Sequence, residues 1–150
     1  MRVVIQRVLE SSVSIDNAIK GSVGYGIVLL LGIEVADTEE DITWLVKKIL
    51  NLRIFNDEND VMNKSLIEID GDILLISQFT LHASTKKGNR PSYILAAKPE
   101  VSKPLYDKFI DFLQLQLGKK IQTGEFGADM KVSLVNDGPV TIIIDTKDKK

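Results

Sequence analysis

The sequence predicts an α+β fold in which antiparallel or mixed β-sheets curl toward a barrel and two helices pack on one face. Three observations predict it. Strand-like segments come in groups: three before the first helical stretch, three between the two, and three after the second. Only two segments carry helical periodicity. Turn chemistry at Asp16-Asn17 and Asp70-Gly71 joins neighbouring strands as hairpins, which a doubly wound parallel sheet does not allow.

Residues 2–9 and 12–16 are strand-like, the second alternating Val13 and Ile15 against serine and aspartate. Asp16-Asn17 turns the chain back through residues 19–23, and Gly24-Tyr25-Gly26 breaks the pattern. Residues 27–33, Ile-Val-Leu-Leu-Leu-Gly-Ile, make a fully buried central strand in which Gly32 admits a close neighbour. Residues 38–52 form the first helix. Thr38 is its N-cap, Glu39, Glu40 and Asp41 load the first turn with negative charge, and Lys47 and Lys48 sit late. Ile42, Leu45, Val46, Ile49 and Leu50 give it one apolar stripe. Residues 53–55 are a short strand leading into Asn56-Asp57-Glu58-Asn59-Asp60. That acidic loop lacks the glycine and distal glutamate of an EF-hand, so it reads as a solvated loop.

Residues 66–69, the Asp70-Gly71 turn and residues 72–81 predict a hairpin. Along 73–81 strand alternation puts Ser77, Phe79 and Leu81 on one face and Gln78 and Thr80 on the other. Residues 83–91 are a polar loop. The second helix runs from Pro99 or Lys103 to Leu117 and is closed by Gly118. Its stripe is Leu105, Phe109, Phe112, Leu113 and Gln116, and Pro104 is either its first turn or a kink. Strands at 121–123, 131–136 and 140–145 complete the order, and 146–150 is a charged tail expected to fray. No repeat or linker divides residues 1–150, so one domain is expected.

Composition narrows the function. With 150 residues, 44% hydrophobic and 27% charged, the chain can bury a core of ordinary size. A formal net charge of −2 argues against holding nucleic acid by bulk electrostatics, and no DNA partner is expected. Without cysteine there is no thiolate nucleophile, and His82 as the sole histidine excludes zinc sites built on several histidines. No metal or other cofactor is therefore expected. The first residues lack the apolar core of a secretory signal, and residues 26–33 are too short to span a bilayer. A soluble, cytoplasmic domain with no membrane partner is the expectation.

Two stretches carry candidate chemistry. Ser77, Gln78 and Thr80 place hydroxyls and an amide at the end of an apolar strand, where they either cap the sheet or line a site. Asn136-Asp137-Gly138-Pro139-Val140-Thr141 links two strands, and its Gly-Pro pair is either an ordinary trans turn or a type VI turn with a cis bond. In the second case the carbonyls of Gly138 and Pro139 are fixed in direction with no N–H between them, a trap suited to an ammonium group.

Ser77-Gln78-Phe79-Thr80-Leu81, Gly88-Asn89-Arg90-Pro91-Ser92, residues 123–130 (Thr-Gly-Glu-Phe-Gly-Ala-Asp-Met) and residues 136–141, with the Ile5-Gln6-Arg7-Val8 start, resemble the signature blocks of the D-aminoacyl-tRNA deacylases, the D-tyrosyl-tRNA deacylase family. The resemblance covers nearly the whole chain, with the blocks in order. It implies hydrolysis of the ester joining a D-amino acid to the terminal ribose of tRNA. It also implies a homodimer in which each Gly138–Pro139 turn, with a cis bond, enters the partner's pocket beside Ser77, Gln78, Phe79 and Thr80. The implied substrate-binding residues are Gly138, Pro139, Met130, Phe126 and Arg7. An L side chain would then point into the Gly138–Pro139 backbone and be rejected sterically, whereas glycine has nothing to clash.

Within that resemblance Thr80 is a positioning hydroxyl or a nucleophile, and on an extended strand His82 would share its face. Backbone N–H groups of Phe79 and Thr80 are candidates to hold the developing oxyanion, with the ribose 2′-hydroxyl assisting the attacking water. Phe79 is a platform for the terminal adenine or a core residue, and Met130 a pocket wall. Arg7, Lys86, Lys87 and Arg90 are candidate contacts to acceptor-stem phosphates. Two other functions remain open. A general esterase would use Thr80 or Ser77 as covalent nucleophile, but the Gly-x-Ser-x-Gly elbow is absent. A non-catalytic RNA-binding module would need a more basic face.

Overall fold

The computed structural model describes residues 1–150. Its organising strand is β1 (Arg2–Ile15), a single strand of 14 residues, without the break expected at residues 10–11. One edge of β1 is shared by two neighbours. Its first half pairs antiparallel with β3 (Gly26–Gly32) and its second half with β2 (Ala18–Val23). Beyond β3 the sheet continues in parallel through β6 (Asp72–Ser77) to β7 (Gln122–Thr123). Because β1 serves two partners in succession, the sheet bends until β2 meets β7. A Cβ on Gly21 would lie 3.1 Å from Gln122 Oε1, yet no ladder joins these strands. The result is a mixed sheet curled nearly into a barrel, with one unsealed seam.

Strand alternation decides what each face holds. Ile27, Leu29 and Leu31 of β3, with Ile73 and Leu75 of β6, face the helices and join the larger core. Val28, Leu74 and Ile76 point the other way and, with Val8 and Val13, fill the barrel interior. The predicted hairpin around Asp70-Gly71 is absent. Residues 66–70 form turns that bury Leu66, and β6 lies parallel between β3 and β7. The physical reason is the run of four aliphatics at residues 73–76, buried on both faces as only a central strand can be.

Helix α1 (Glu39–Asn51) starts as expected, with the Thr38 N–H donating to the Asp41 carboxylate at 2.8 Å. Helix α2 (Pro99–Leu117) begins at Pro99 and ends on Gly118 in the left-handed region, φ 80°. Its buried stripe is Ser102, Tyr106, Phe109 and Leu113. The expected stripe was therefore rotated: Leu105 and Phe112 are half-buried and Gln116 is exposed. Both helices cover the same sheet face, where Ile42, Leu45, Val46, Ile49 and Leu50 meet Phe109 and Leu113 in one core. Between α1 and β6, β4 (Phe55–Asn56) pairs with β5 (Met62–Lys64), a strand that the sequence did not suggest. The acidic loop closes this hairpin, with Asp57 accepting the N–H groups of Asn59 and Val61 at 2.9 and 3.1 Å.

The two strands expected at 131–136 and 140–145 are one, β8 (Lys131–Asp145), paired along the free edge of β1. Gln6 pairs with Thr141 and Val8 with Asn136, so four residues, 137–140, stand opposite Arg7 alone. Gly138-Pro139 is thus an outward excursion from a continuous strand rather than a turn between two. The tail is anchored at its start, contrary to the expected fraying. The Thr146 N–H donates to the Met1 carbonyl at 2.8 Å, and Lys147 Nζ reaches the Ala36 carbonyl and the Asp41 carboxylate.

Candidate active site

The end of β6 builds the site. The Gln78 N–H donates to the Leu31 carbonyl at 2.8 Å as a last rung, after which the chain leaves the sheet in a 3₁₀ turn, Phe79–His82. Gly32 makes room for that turn: a Cβ there would lie 3.0 Å from the Gln78 carbonyl, Leu81 Cβ and His82 Cδ2. Arg2 clamps the turn from the other side. Its Nη1 donates to the Leu81 carbonyl at 2.6 Å, while Nε and Nη2 hold Asp145 at 3.0 and 2.7 Å.

This turn overrides the alternation expected over residues 77–81. Phe79 is exposed, Thr80 half-buried, and His82 only 3% exposed. Thr80 and His82 share no strand face, because no strand is there. The His82 Nε2 is buried without a hydrogen-bond partner, and His82 is not part of the cavity wall. The Gln78 amide donates to the Thr80 hydroxyl, fixing the oxygen on a lone pair. Phe79 and Thr80 open the turn, where N–H groups have no acceptor within the helix.

In front of the turn lies a cavity of about 560 Å³. Ser77, Gln78 and Phe79 form one side and Phe126, Met130 and Val132 another. The start of α2 and the residues before it supply Tyr93, Ala97, Lys98, Ser102 and Tyr106. The Phe79 and Tyr93 rings meet edge to face at 5.1 Å, and Tyr106 tilts against Phe126 at 5.4 Å. Burial, with Asp107 nearby, pushes the Tyr106 phenol well up, so it stays protonated and cannot serve as a base. Gly124 sets the position of Met130: a Cβ would stand 2.3 Å from the Met130 Sδ. Neither His82 nor any carboxylate lines the cavity. No cluster of three or more histidine, cysteine, aspartate or glutamate groups could hold a metal ion.

Five expected residues meet in this cavity: Ser77, Gln78, Phe79, Phe126 and Met130. The Thr80 hydroxyl is tied to it only through Gln78. Gly138 and Pro139 are not at this cavity; they are exposed on the β8 excursion, joined by a cis peptide, with Gly138 at φ +113°. Asn136 pinches the base of the excursion, donating from Nδ2 to the carbonyls of Arg7 and Val140, each at 3.0 Å.

Arg7 is neither at the cavity nor free for phosphate, against expectation. It is buried, with Nη1 donating to the Ile54 carbonyl at 2.6 Å and to Asn56 Oδ1 at 3.3 Å. Its Nε lies 3.0 Å from Asp137 Oδ2 but off the N–H direction, an ion pair rather than a hydrogen bond. Arg7 therefore holds the excursion. Lys86, Lys87 and Arg90 are exposed on a loop whose base is closed by reciprocal Ser84–Ser92 backbone bonds of 2.8 and 2.9 Å.

Sequence reasoning missed Tyr93, Lys98, Ser102 and Tyr106. Tyr106 carries a signal, lying one position from the apolar stripe of the sequence and four after Ser102. Tyr93 carried none beyond following a polar loop.

Comparison with known proteins places this geometry. Residues 4–145 match the profile of a family described as D-Tyr-tRNA(Tyr) deacylase. A D-aminoacyl-tRNA deacylase of Bacteroides fragilis (strain YCH46) is 67% identical, covering 100% of both chains. One from Christiangramia forsetii (strain DSM 17595 / CGMCC 1.15422 / KT0803) is 64% identical over the same 100%. Among solved structures, one described as c-Myc DNA Unwinding Element Binding Protein superposes with a TM-score of 0.93 at 40% identity, covering 97% of this chain and 99% of that one. A probable eukaryotic D-amino acid tRNA deacylase shares the fold, with a TM-score of 0.83 over 95% of this chain and 97% of its own at 20% identity.

Proposed function

The chain belongs to the D-Tyr-tRNA(Tyr) deacylase family and is a hydrolase acting on aminoacyl-tRNA; from that premise we propose how it selects a D-amino acid and cleaves its ester. The α-ammonium is held by the Gly138 and Pro139 carbonyls of a second copy, and the ester carbonyl by the N–H groups of Phe79 and Thr80. With both ends fixed, a D side chain has space and an L side chain runs into the Gly138–Pro139 backbone. Glycine, having no side chain, is cleaved too. Water adds to the ester carbon, the bond to the ribose oxygen breaks, and that oxygen takes the proton, releasing free amino acid and tRNA. The ribose 2′-hydroxyl assists the water. Phe126 and Met130 form the wall around the bound end, and Lys86, Lys87 and Arg90 meet tRNA phosphates.

The observation that carries this reading is the Gln78 amide donating to the Thr80 hydroxyl at a cavity with no base beside it. An activated nucleophile needs a proton acceptor, and here Thr80 is held instead as an orienting group. The dimer is supported by two features: Gly138 and Pro139 are exposed away from their own cavity, and β8 pairs on one edge only. One solved relative is named for a DNA element. For this chain a net charge of −2, with Lys86, Lys87 and Arg90 gathered on one exposed loop, favours a single RNA end over a DNA duplex. A tRNA substrate supports a cytoplasmic location. No helix is long and apolar enough to cross a membrane.

Time courses of D- and L-tyrosyl-tRNA decay, with a small ester as control, test the reading. Selective loss of the D-ester is expected. Cleavage of the small ester would favour a general esterase, and tRNA binding without turnover a non-catalytic module.

A further inference from the structure

We propose that the turn at residues 93–96 is a stacking lip for the unpaired 3′ tail of the substrate tRNA, taking the nucleotides just 5′ of the terminal adenosine. The proposal rests on the deacylase reading and extends its site outward. The Ala96 N–H donates to the Tyr93 carbonyl at 3.0 Å, which makes Ile94 and Leu95 the corners of a turn. They are 80% and 55% exposed. Turn corners favour glycine, proline, asparagine, aspartate and serine, each for a conformational or hydrogen-bonding reason. Two consecutive branched aliphatics there leave most of their surface in solvent and join neither core cluster.

Their position supplies one. Both feet of the turn, Tyr93 and Ala96, line the cavity, which sets the exposed corners at its border. Phe79 is 56% exposed and touches Tyr93 edge to face, which makes a continuous apolar step leading out of the cavity. The step is rigid. Ala97 N–H donates to the Ile33 carbonyl at 2.9 Å, and the Ser84–Ser92 bonds close the loop on its other side.

Charge identifies the occupant. Lys86, Lys87 and Arg90 sit on the loop that ends at Tyr93, and exposed Lys98 lies on the cavity rim. Several other lysines (Lys64, Lys103, Lys108, Lys119, Lys131 and Lys147) are tied to carboxylates, whereas these four cations face none. An apolar and aromatic step flanked by unpaired cations is what a single strand of nucleic acid needs, with bases stacking and phosphates neutralised. A tail whose ester carbon sits at Gln78–Thr80 leaves by this mouth.

The test compares kcat/KM on D-tyrosyl-tRNA with that on D-tyrosyl-adenosine, which has only the terminal nucleoside. In the double variant Ile94→Ser, Leu95→Ser the ratio is expected to fall about tenfold, chiefly through KM for the tRNA. Lys86→Ala with Lys87→Ala is expected to flatten the salt dependence for the tRNA alone. An unchanged ratio for the Ile94/Leu95 variant overturns the lip. So does a change in its sedimentation behaviour, which would assign the surface to a second copy. Wild-type protein that cleaves neither D-ester refutes the deacylase reading itself.

Discussion

The Nε of Arg7 lies 3.0 Å from Asp137 Oδ2, on the residue that precedes the exposed Gly138 and Pro139. A buried cation on β1 thus sets the direction of a surface loop on β8. Replacing Arg7 by alanine leaves the Ile54 carbonyl and Asp137 without their partner. Breaking a buried pair costs about 3–5 kcal/mol, and the partial exposure of Asp137 puts this one at or below the lower end. Arg7→Ala is expected to lower Tm and to reduce D-tyrosyl-tRNA hydrolysis even at temperatures where it stays folded. Arg7→Lys recovers little, because lysine lacks the fork that meets Ile54 and Asp137 together. Full activity in folded Arg7→Ala would remove Arg7 from the arrangement of the loop.

Gly138 has φ +113°, and a Cβ on it would stand 2.9 Å from Arg7 Nη2 and 3.0 Å from Val140 Cγ2. Gly138→Ala is expected to cost about 1–3 kcal/mol through backbone strain and to cripple turnover. If each site joins one chain's turn to the other chain's loop, co-expressing Gly138→Ala with Gln78→Ala restores partial activity. Absence of any recovery in a verified mixed dimer would place turn and loop in the same chain.

Thr80→Ala removes a hydroxyl that accepts from Gln78. A single neutral hydrogen bond is worth about 0.5–1.5 kcal/mol, so turnover is expected to fall about three- to tenfold and persist. Thr80→Ser keeps most of the rate. An inactive Thr80→Ala that folds and binds tRNA would make Thr80 the nucleophile.

Asp41 links the start of α1 to the tail. Burial pushes its carboxyl up, but bonds from Lys147, Thr146 and the Thr38 N–H more than offset this and hold it well below the usual carboxylate range. A depressed folded-state pKa stabilises the protein above the unfolded value, near pH 4, and that stability is lost as pH falls through the folded pKa. Asp41→Asn is expected to lower Tm at pH 7, with the gap from wild type closing as pH drops below about 4. A gap independent of pH would mean that the carboxylate charge contributes nothing.

Much of the fold was legible because it rests on local chemistry. The α1 stripe, the Thr38 start and the Gly118 stop each depend on residues within a turn of one another. The seam, the parallel β3–β6 pairing and the missing hairpin at Asp70-Gly71 were not legible. An apolar run at residues 73–76 says that a strand is buried, not which neighbours bury it. Ser77, Gln78, Phe79, Phe126 and Met130 stand in motif blocks visible in the sequence, whereas Tyr106 sits one position from the apolar stripe that the sequence shows.

By itself the sequence determined the two helices, the buried runs of β3 and β6, the absence of thiol chemistry and the polar cluster that ends β6, since all four follow from residue identity and short-range spacing. Only the tertiary structure decided that Ser77 is followed by a 3₁₀ turn rather than more strand, that His82 is buried and shares no strand face with Thr80, and that Gly138-Pro139 leaves a continuous strand outside the lining of its own cavity. Those outcomes depend on long-range pairing: Gly32 admitting the turn, Arg2 clamping Leu81, and Arg7 facing four residues of β8 at once. No periodicity within a single segment encodes contacts made across the sheet.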